Sequence, residues 1–469
     1  MPSRQDQLHS YQFAIQRVVA ALVMRETDPA RSPFRRAAGA TLASVLIAVI
    51  ALGAVAVYGV LVNGGSTRWR DAQAVIVEKE TGARYVFRDG RLHPVLNYSS
   101  ALLAAGAGGT ARTVSVSAKS LVGVPRGVPL GIADAPDSLP AAGQLTGDPW
   151  SVCATRAEPG AGEGSRSMLL VGAAPSGGAP LGAAGALLRD PAGNLHLAWQ
   201  NRRHPIRDRE VVLAALGWTG QPARSVPAAF LNSLPVGADL ELIDIPGRGE
   251  RVDYLPDARV GQVFVVRQAG GAEQYAVAFR DGLAGVTTVQ AQLLLADPRT
   301  AARVGQREPT ELSPSEFGAA RQHAGAQGRG SSLPPTAPEL ATPEAAALCA
   351  VVRDEVGVAE IRLNPQLPDP AETFATPRRT ADGGVLADYV VIPPGRGALV
   401  EAVAGPGGSG AVSIVVAPGR RHTLPTDRAR AALGYGAVRP IRLPAGLVAL
   451  LPAGSALDPE AAAQPAGRG

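Results

Sequence analysis

The chain has 469 residues, 46% of them hydrophobic, and its 45 basic side chains exceed its 40 acidic ones by only five. An excess that small, interspersed with acids, makes an ordinary solvated surface and excludes the basic stripe of a nucleic-acid binder. The 55 glycines and 40 prolines predict a turn-rich chain of short elements, and the hydrophobic share still suffices for a real core.

Residues 1–36 form an arm. Ser3 stands three residues before Asp6, a capping-box-like helix start. Leu8, Tyr11, Ile15, Val18 and Leu22 follow in steps of three and four, one stripe along a helix that Asp28–Pro29 should end. A helix this short has no core of its own. The stripe is therefore expected to meet a partner protein, with the membrane headgroup region as the other candidate.

Residues 37–62 contain no charge. Roughly 20 apolar helical residues cross a bilayer core about 30 Å thick, whereas a cleavable signal has an apolar core of about 7–15. A single permanent transmembrane helix is expected. Arg4, Arg17, Arg25, Arg31, Arg35 and Arg36 precede it against Asp6, Glu26 and Asp28, while Arg68, Arg70, Lys79 and Arg84 follow it against Asp71, Glu78 and Glu80. The heavier basic side predicts a cytoplasmic N-terminus and an extracytoplasmic bulk.

Beyond the span, three segments align: "RLHPVLNYSSALLAAG" from Arg91, "RRHPIRDREVVLAALG" from Arg202 and "RRHTLPTDRARAALGY" from Arg420. A fourth, "GLAGVTTVQAQLLLAD" from Gly282, has lost the Arg-x-His. Each follows a β-like run with a turn, and three lead into a proline-bounded apolar stretch. The expected module is strand–turn–strand–helix, used four times at uneven spacing. His93, His204 and His422 recur with the module at one equivalent position, so they are assigned to its packing rather than to catalysis.

Cys153 and Cys349 are the two cysteines, both on the expected outer side. An even pair in an oxidising compartment reads as a disulfide, with two unpaired buried thiols as the other reading. Neither has a His or Cys at ligand spacing, so no metal is expected. "GPGGSGAV" from Gly405 fits a kinase glycine-loop pattern, but no lysine follows Lys119 and a strand-like run follows the loop. It is expected to be a hairpin tip. No G-x-x-x-x-G-K-[ST], H-E-x-x-H or G-x-S-x-G occurs. The sequence offers no catalytic residue and no cofactor site.

The fold class is α+β, with these expected divisions: cytoplasmic arm 1–36; transmembrane helix 37–62; repeat 1 at 63–140; a segment with Cys153 at 141–185; repeat 2 at 186–249; repeat 3 at 250–307; a flexible Pro/Gly/Ser-rich linker at 308–345, with a short helix over Ser313–Gln322; a segment with Cys349 at 346–382; repeat 4 at 383–458; and a disordered tail at 459–469.

The opening "MPSRQDQLHSYQFAIQRVVAALV", the "SPFRR" before one span and the distant cysteine pair resemble EccB, a core membrane component of the actinobacterial type VII (ESX) secretion system. The resemblance covers essentially the whole chain. It implies a single-pass inner-membrane protein whose periplasmic domain has a central core and four repeats, with Cys153 and Cys349 where that family's disulfide lies. It also implies assembly with EccC, EccD, EccE and the mycosin protease, and self-association. A structural scaffold is the leading expectation. The alternatives are a module gripping peptidoglycan, which the family's lysin-like repeats suggest, and the ATPase activity by which some members are labelled.

Overall fold

A computed structural model describes residues 3–25, 33–63, 69–106, 111–156, 164–268, 270–323, 333–341 and 346–466. Helix α1 (Arg4–Met24) begins with the capping box read from the sequence: the Ser3 hydroxyl accepts from the Asp6 amide at 3.3 Å, and the Asp6 carboxylate accepts from the Ser3 amide at 3.1 Å. Arg25, in the left-handed region (φ 54°), closes the helix through its amide to Ala21. Asp28–Pro29 lies outside the described residues. Helix α2 (Pro33–Asn63) begins four residues ahead of the expected span, at a proline suited to a first helical turn.

The first repeat comprises β1 (Ala74–Glu78), β2 (Arg84–Arg88), β3 (Arg91–Pro94), α3 (Tyr98–Ala105) and β4 (Arg112–Val116). Core strands β5 (Trp150–Arg156), β6 (Ser165–Leu170) and β7 (Ala179–Pro180) follow. The second repeat is β8 (Ala186–Arg189), β9 (Leu195–Trp199), β10 (Arg202–Ile206), α4 (Arg209–Ala215) and β11 (Arg224–Ser225), trailed by α5 (Ala228–Ser233). The third is β12 (Val263–Arg267), β13 (Glu273–Ala278), β14 (Leu283–Val286), α6 (Thr288–Ala296), α7 (Pro298–Arg303), β15 (Thr310–Glu311) and α8 (Pro314–Ala319). Core strands β16 (Ala347–Asp354), β17 (Gly357–Leu363), β18 (Phe374–Ala375) and β19 (Tyr389–Val391) precede the fourth repeat: β20 (Ala398–Val403), β21 (Ala411–Val416), β22 (Arg420–Thr423), α9 (Asp427–Ala432) and β23 (Ile441–Pro444), then α10 (Ala445–Val448) and α11 (Pro459–Ala462).

Four sheets share one topology, with orders β3-β2-β1-β4, β10-β9-β8-β11, β14-β13-β12-β15 and β22-β21-β20-β23. Three strands meander antiparallel, a helix follows, and a short strand returns parallel to the first in repeats two to four. The polar residue that opens the helix is its cap in three copies: Asn97, Thr287 and Thr426 each accept from the amide three residues on.

A seven-stranded sheet, β18-β19-β6-β5-β16-β17-β7, joins the two cysteine-bearing segments. Its central strands β5, β6 and β16 are the most apolar because they are buried on both faces; Val152, Ala154, Leu169, Leu348 and Ala350, with Ile361 of β17, join one core with residues of α5, α10 and strands of repeats two and four. Cys153 and Cys349 face each other in register on neighbouring antiparallel strands and form the disulfide. Both are fully buried beside Met168 and Leu170.

Three expected divisions need correction. Residues 308–323, read as linker, complete the third repeat: β15 pairs with β12, and Leu312 and Ala320 are buried in that repeat's core. The tail is ordered to Ala466, because α11 buries Ala462, Pro465 bridges to Leu130, and the Ala466 amide donates to Pro129. The fourth repeat starts at β20, since β19 belongs to the core sheet.

Candidate functional site

The arm and the span present apolar side chains that stay exposed among the described residues. Leu8, Tyr11, Ile15, Val18 and Leu22 stand along α1 at 57%, 66%, 43%, 59% and 78% exposure. On α2, Ala38–Tyr58 is long and apolar enough to cross a membrane, about 31 Å at 1.5 Å per residue. Its Leu42, Leu46, Ile47, Ile50, Leu52 and Val55 are all more than half exposed. Contiguous exposed apolar surface of this extent marks contact with lipid or protein.

The repeat histidines sit in three separate sheets but do the same thing. The Nδ1 of His93, His204 and His422 meets the carbonyl oxygens of Val128, Ala238 and Ser455 at 2.9, 3.0 and 3.0 Å. Each ring lies flat on the glycine just before its acceptor, Gly127, Gly237 or Gly454, where any Cβ would overlap the imidazole. The histidine thus pins the proline-bounded stretch to the edge of its sheet, beside backbone bridges from Leu92 to Arg126, Arg203 to Val236 and Arg421 to Ala453. In the third repeat the equivalent bridge joins Leu283 to Gln322, and the His323 amide donates to the Leu283 carbonyl as the glycine amides do elsewhere. Small Ala284 therefore occupies the histidine position and His323 the glycine position. There His323 stacks on Phe279 at 4.3 Å and meets Asp281 at 2.7 Å.

Two outcomes follow from this contact. Gly237→Ala should cost about 1–3 kcal/mol by overpacking, and adding His204→Ala should cost less than the sum of the two singles, read as a double-mutant cycle on the detergent-solubilised chain. Acid should also loosen these contacts. Burial pushes His204 and His422 below the ordinary value, against the opposing pull of their carbonyl hydrogen bonds. With Nδ1–H donating, a second proton must sit on Nε2, which in His204 is buried with no partner among the described residues. The unfolded histidine takes up its proton near pH 6.5 and the folded one only below that, so protonation favours unfolding. Stability is expected to fall as pH drops from 6.5 toward 5, checked by melting curves.

Sequence reasoning missed one ionic cluster, in the third repeat. Asp297, fully buried, caps α7 through the Arg299 amide at 2.8 Å and pairs with Arg299 at 2.9 Å and Arg248 at 3.2 Å. Arg248 also donates to Ile243 and Thr300. Burial alone would raise the carboxyl's pKa; the Arg299 donors and the Arg248 charge outweigh it and hold it below the usual range. The partners lie some fifty residues apart without a motif to mark them. Among the described residues, no three His, Cys, Asp or Glu side chains gather as a metal site. Gly405–Gly410 lies between β20 and β21, where the Gly410 amide donates to Glu401. It is a hairpin tip.

The family model "Type VII secretion system ESX-1, transport TM domain B" matches residues 1–466. Among relatives, the ESX-3 secretion system ATPase EccB3 of Mycolicibacterium smegmatis is 29% identical, over 96% of this chain and 88% of that protein. The ESX-5 secretion system ATPase EccB5 of Mycobacterium marinum is 30% identical over 67% of this chain, an alignment spanning 62% of that relative. Among solved structures, a chain of an intact ESX-5 inner membrane complex superposes with a TM-score of 0.66 at 25% identity, covering 98% of this chain and 95% of the other. A chain of the EccB3 dimer from an ESX-3 core complex gives 0.65 at 26% identity, over 83% and 99%. A match running from the arm through the last described residue leaves one assignment: the chain belongs to the EccB family of type VII secretion systems.

Proposed function

We propose that this chain is a single-pass structural subunit of a type VII secretion complex in the inner membrane. Its arm docks on cytoplasmic parts of the machine, and its repeat-bearing domain frames the outer side of the channel through protein–protein contacts. The observation that carries the reading is the exposed stripe of α1 next in sequence to a bilayer-length exposed apolar helix. The occurrence of family relatives inside an ESX-5 inner membrane complex and as an ESX-3 dimer supports it. The arginine-weighted N-terminal side supports a cytoplasmic arm, and a disulfide in the large domain supports an oxidising compartment for that domain. EccC, EccD, EccE and the mycosin protease are the partners proposed, with a second copy of the chain. The reading is non-catalytic, although relatives carry ATPase in their names.

Charging the stripe tests the docking. Ile15→Asp with Val18→Asp should leave the chain inserted and its disulfide formed while co-purification of the partners drops severalfold. Unchanged recovery would remove the arm from the proposal. Protease added to spheroplasts should degrade the large domain, and its full protection would reverse the topology.

A further inference from the structure

Two adjoining cavities of about 580 and 560 Å³ open beside the core sheet and share Gly164, Ser165 and Ser225 in their walls. The sequence gives no warning of what lines them. Arg156, Arg166, Arg189, Arg224, Arg378 and Arg379 come from β5, β6, β8, β11 and the segment before β19, and converge on this one place. Among the described residues, two carboxylates share the walls, and both are engaged locally. Asp388 accepts from the Ser167 amide and hydroxyl at 2.8 and 2.6 Å and pairs with Arg378 at 3.2 Å. Asp190 accepts from the amides of Ala192 and Asn194 and from the Asn194 side chain, each at 2.8 Å.

Within this cleft, Arg224 has donors left unmet among the described residues. Its Nη2 donates to the carbonyl of Ala346 at 2.9 Å and, more weakly, to that of Ala154 at 3.4 Å. Its Nε and Nη1 are buried with no partner among the described residues. Burial first, and then the neighbouring Arg156 charge, depress its pKa, so an anion here would relieve both penalties. A guanidinium offers paired N–H donors that match carboxylate or phosphate oxygens bidentately, and cavities of this size suit a small ligand.

We propose that this arginine-lined cleft is a binding site for a multiply charged oxyanion, carried by carboxylates or phosphates of a small molecule. The test is calorimetric titration of the full-length chain in detergent micelles, at about 150 mM salt so that loose surface attraction is screened. Pyrophosphate and citrate are the probes. Saturable binding near one per chain is expected for at least one of them, and the stronger of the two identifies the chemistry as phosphate or carboxylate. Arg189→Glu with Arg379→Glu should weaken it about tenfold or more, the loss of one good charge-assisted contact. Arg224→Gln should weaken it as well, read beside a melting curve because Arg224 also holds two backbone carbonyls; the Arg189/Arg379 pair decides if that variant unfolds. The β5–β6 connection carries Glu158 and Glu163, so Glu158→Gln with Glu163→Gln is the remaining arm. Binding that arises only in that variant means the chain's own acids are the anion, and it overturns the proposal. Absence of saturable binding, or binding indifferent to the arginine changes, overturns it equally.

Discussion

Replacing Cys153 and Cys349 together by alanine is expected to be the most damaging change to the large domain. The bridge joins residues 196 apart in sequence. Closing so long a loop removes unfolded-state entropy worth about 5 kcal/mol in the chain-entropy model. The same pair ties the segment before the second repeat to the segment after the third, across adjacent strands of the core sheet. Its loss should therefore lower the melting temperature of the whole domain in detergent and speed proteolysis within the central sheet. Reductant added to the native chain should reproduce the effect. A double alanine variant as protease-resistant as the native chain would assign the sheet's stability to packing alone.

Asp297→Ala should have the next largest effect, and a local one. The side chain caps α7 and neutralises a buried arginine at once. Removing one partner of a buried ionic pair costs about 3–5 kcal/mol, because the other charge stays desolvated. Amide exchange should accelerate over β12–β14 and α6 while the fourth repeat keeps its protection. Arg248→Met combined with Asp297→Leu should recover much of the loss, since an apolar replacement of the pair leaves no orphaned charge. Uniform loss of protection through all four repeats would instead make the cluster a keystone of the whole domain.

These effects also explain which parts of the fold could be read beforehand. The arm was legible because Ser3, Asp6 and a three-four apolar stripe carry their own local signal. The recurrence of Arg-x-His exposed three repeats, and the helix capping residues sharpened them. What stayed hidden depends on contacts between distant segments. β11 and β15 are two residues long and too short for a period to register, so the parallel closing strand went unread. The third repeat looked degenerate because Ala284 stands at its histidine position, while His323 stands at the position the other repeats give to glycine. The tail shares the Ala, Pro and Gly composition of a linker, yet Ala462 and Pro465 are ordered by Leu130 and its neighbours. The arginine cleft and the Arg248–Asp297 pair follow the same rule, since convergence of scattered charges is a property of topology.

The central claim is that the chain lives as a built-in part of a larger membrane assembly. Purification of the full-length chain from its own cells in mild detergent, with native mass and composition measured, tests it most directly. The account predicts a large complex containing the other secretion components, which falls apart when residues 3–24 are deleted although the chain remains in the membrane. Recovery of the intact chain alone, or of an undiminished complex from the deleted form, would contradict it.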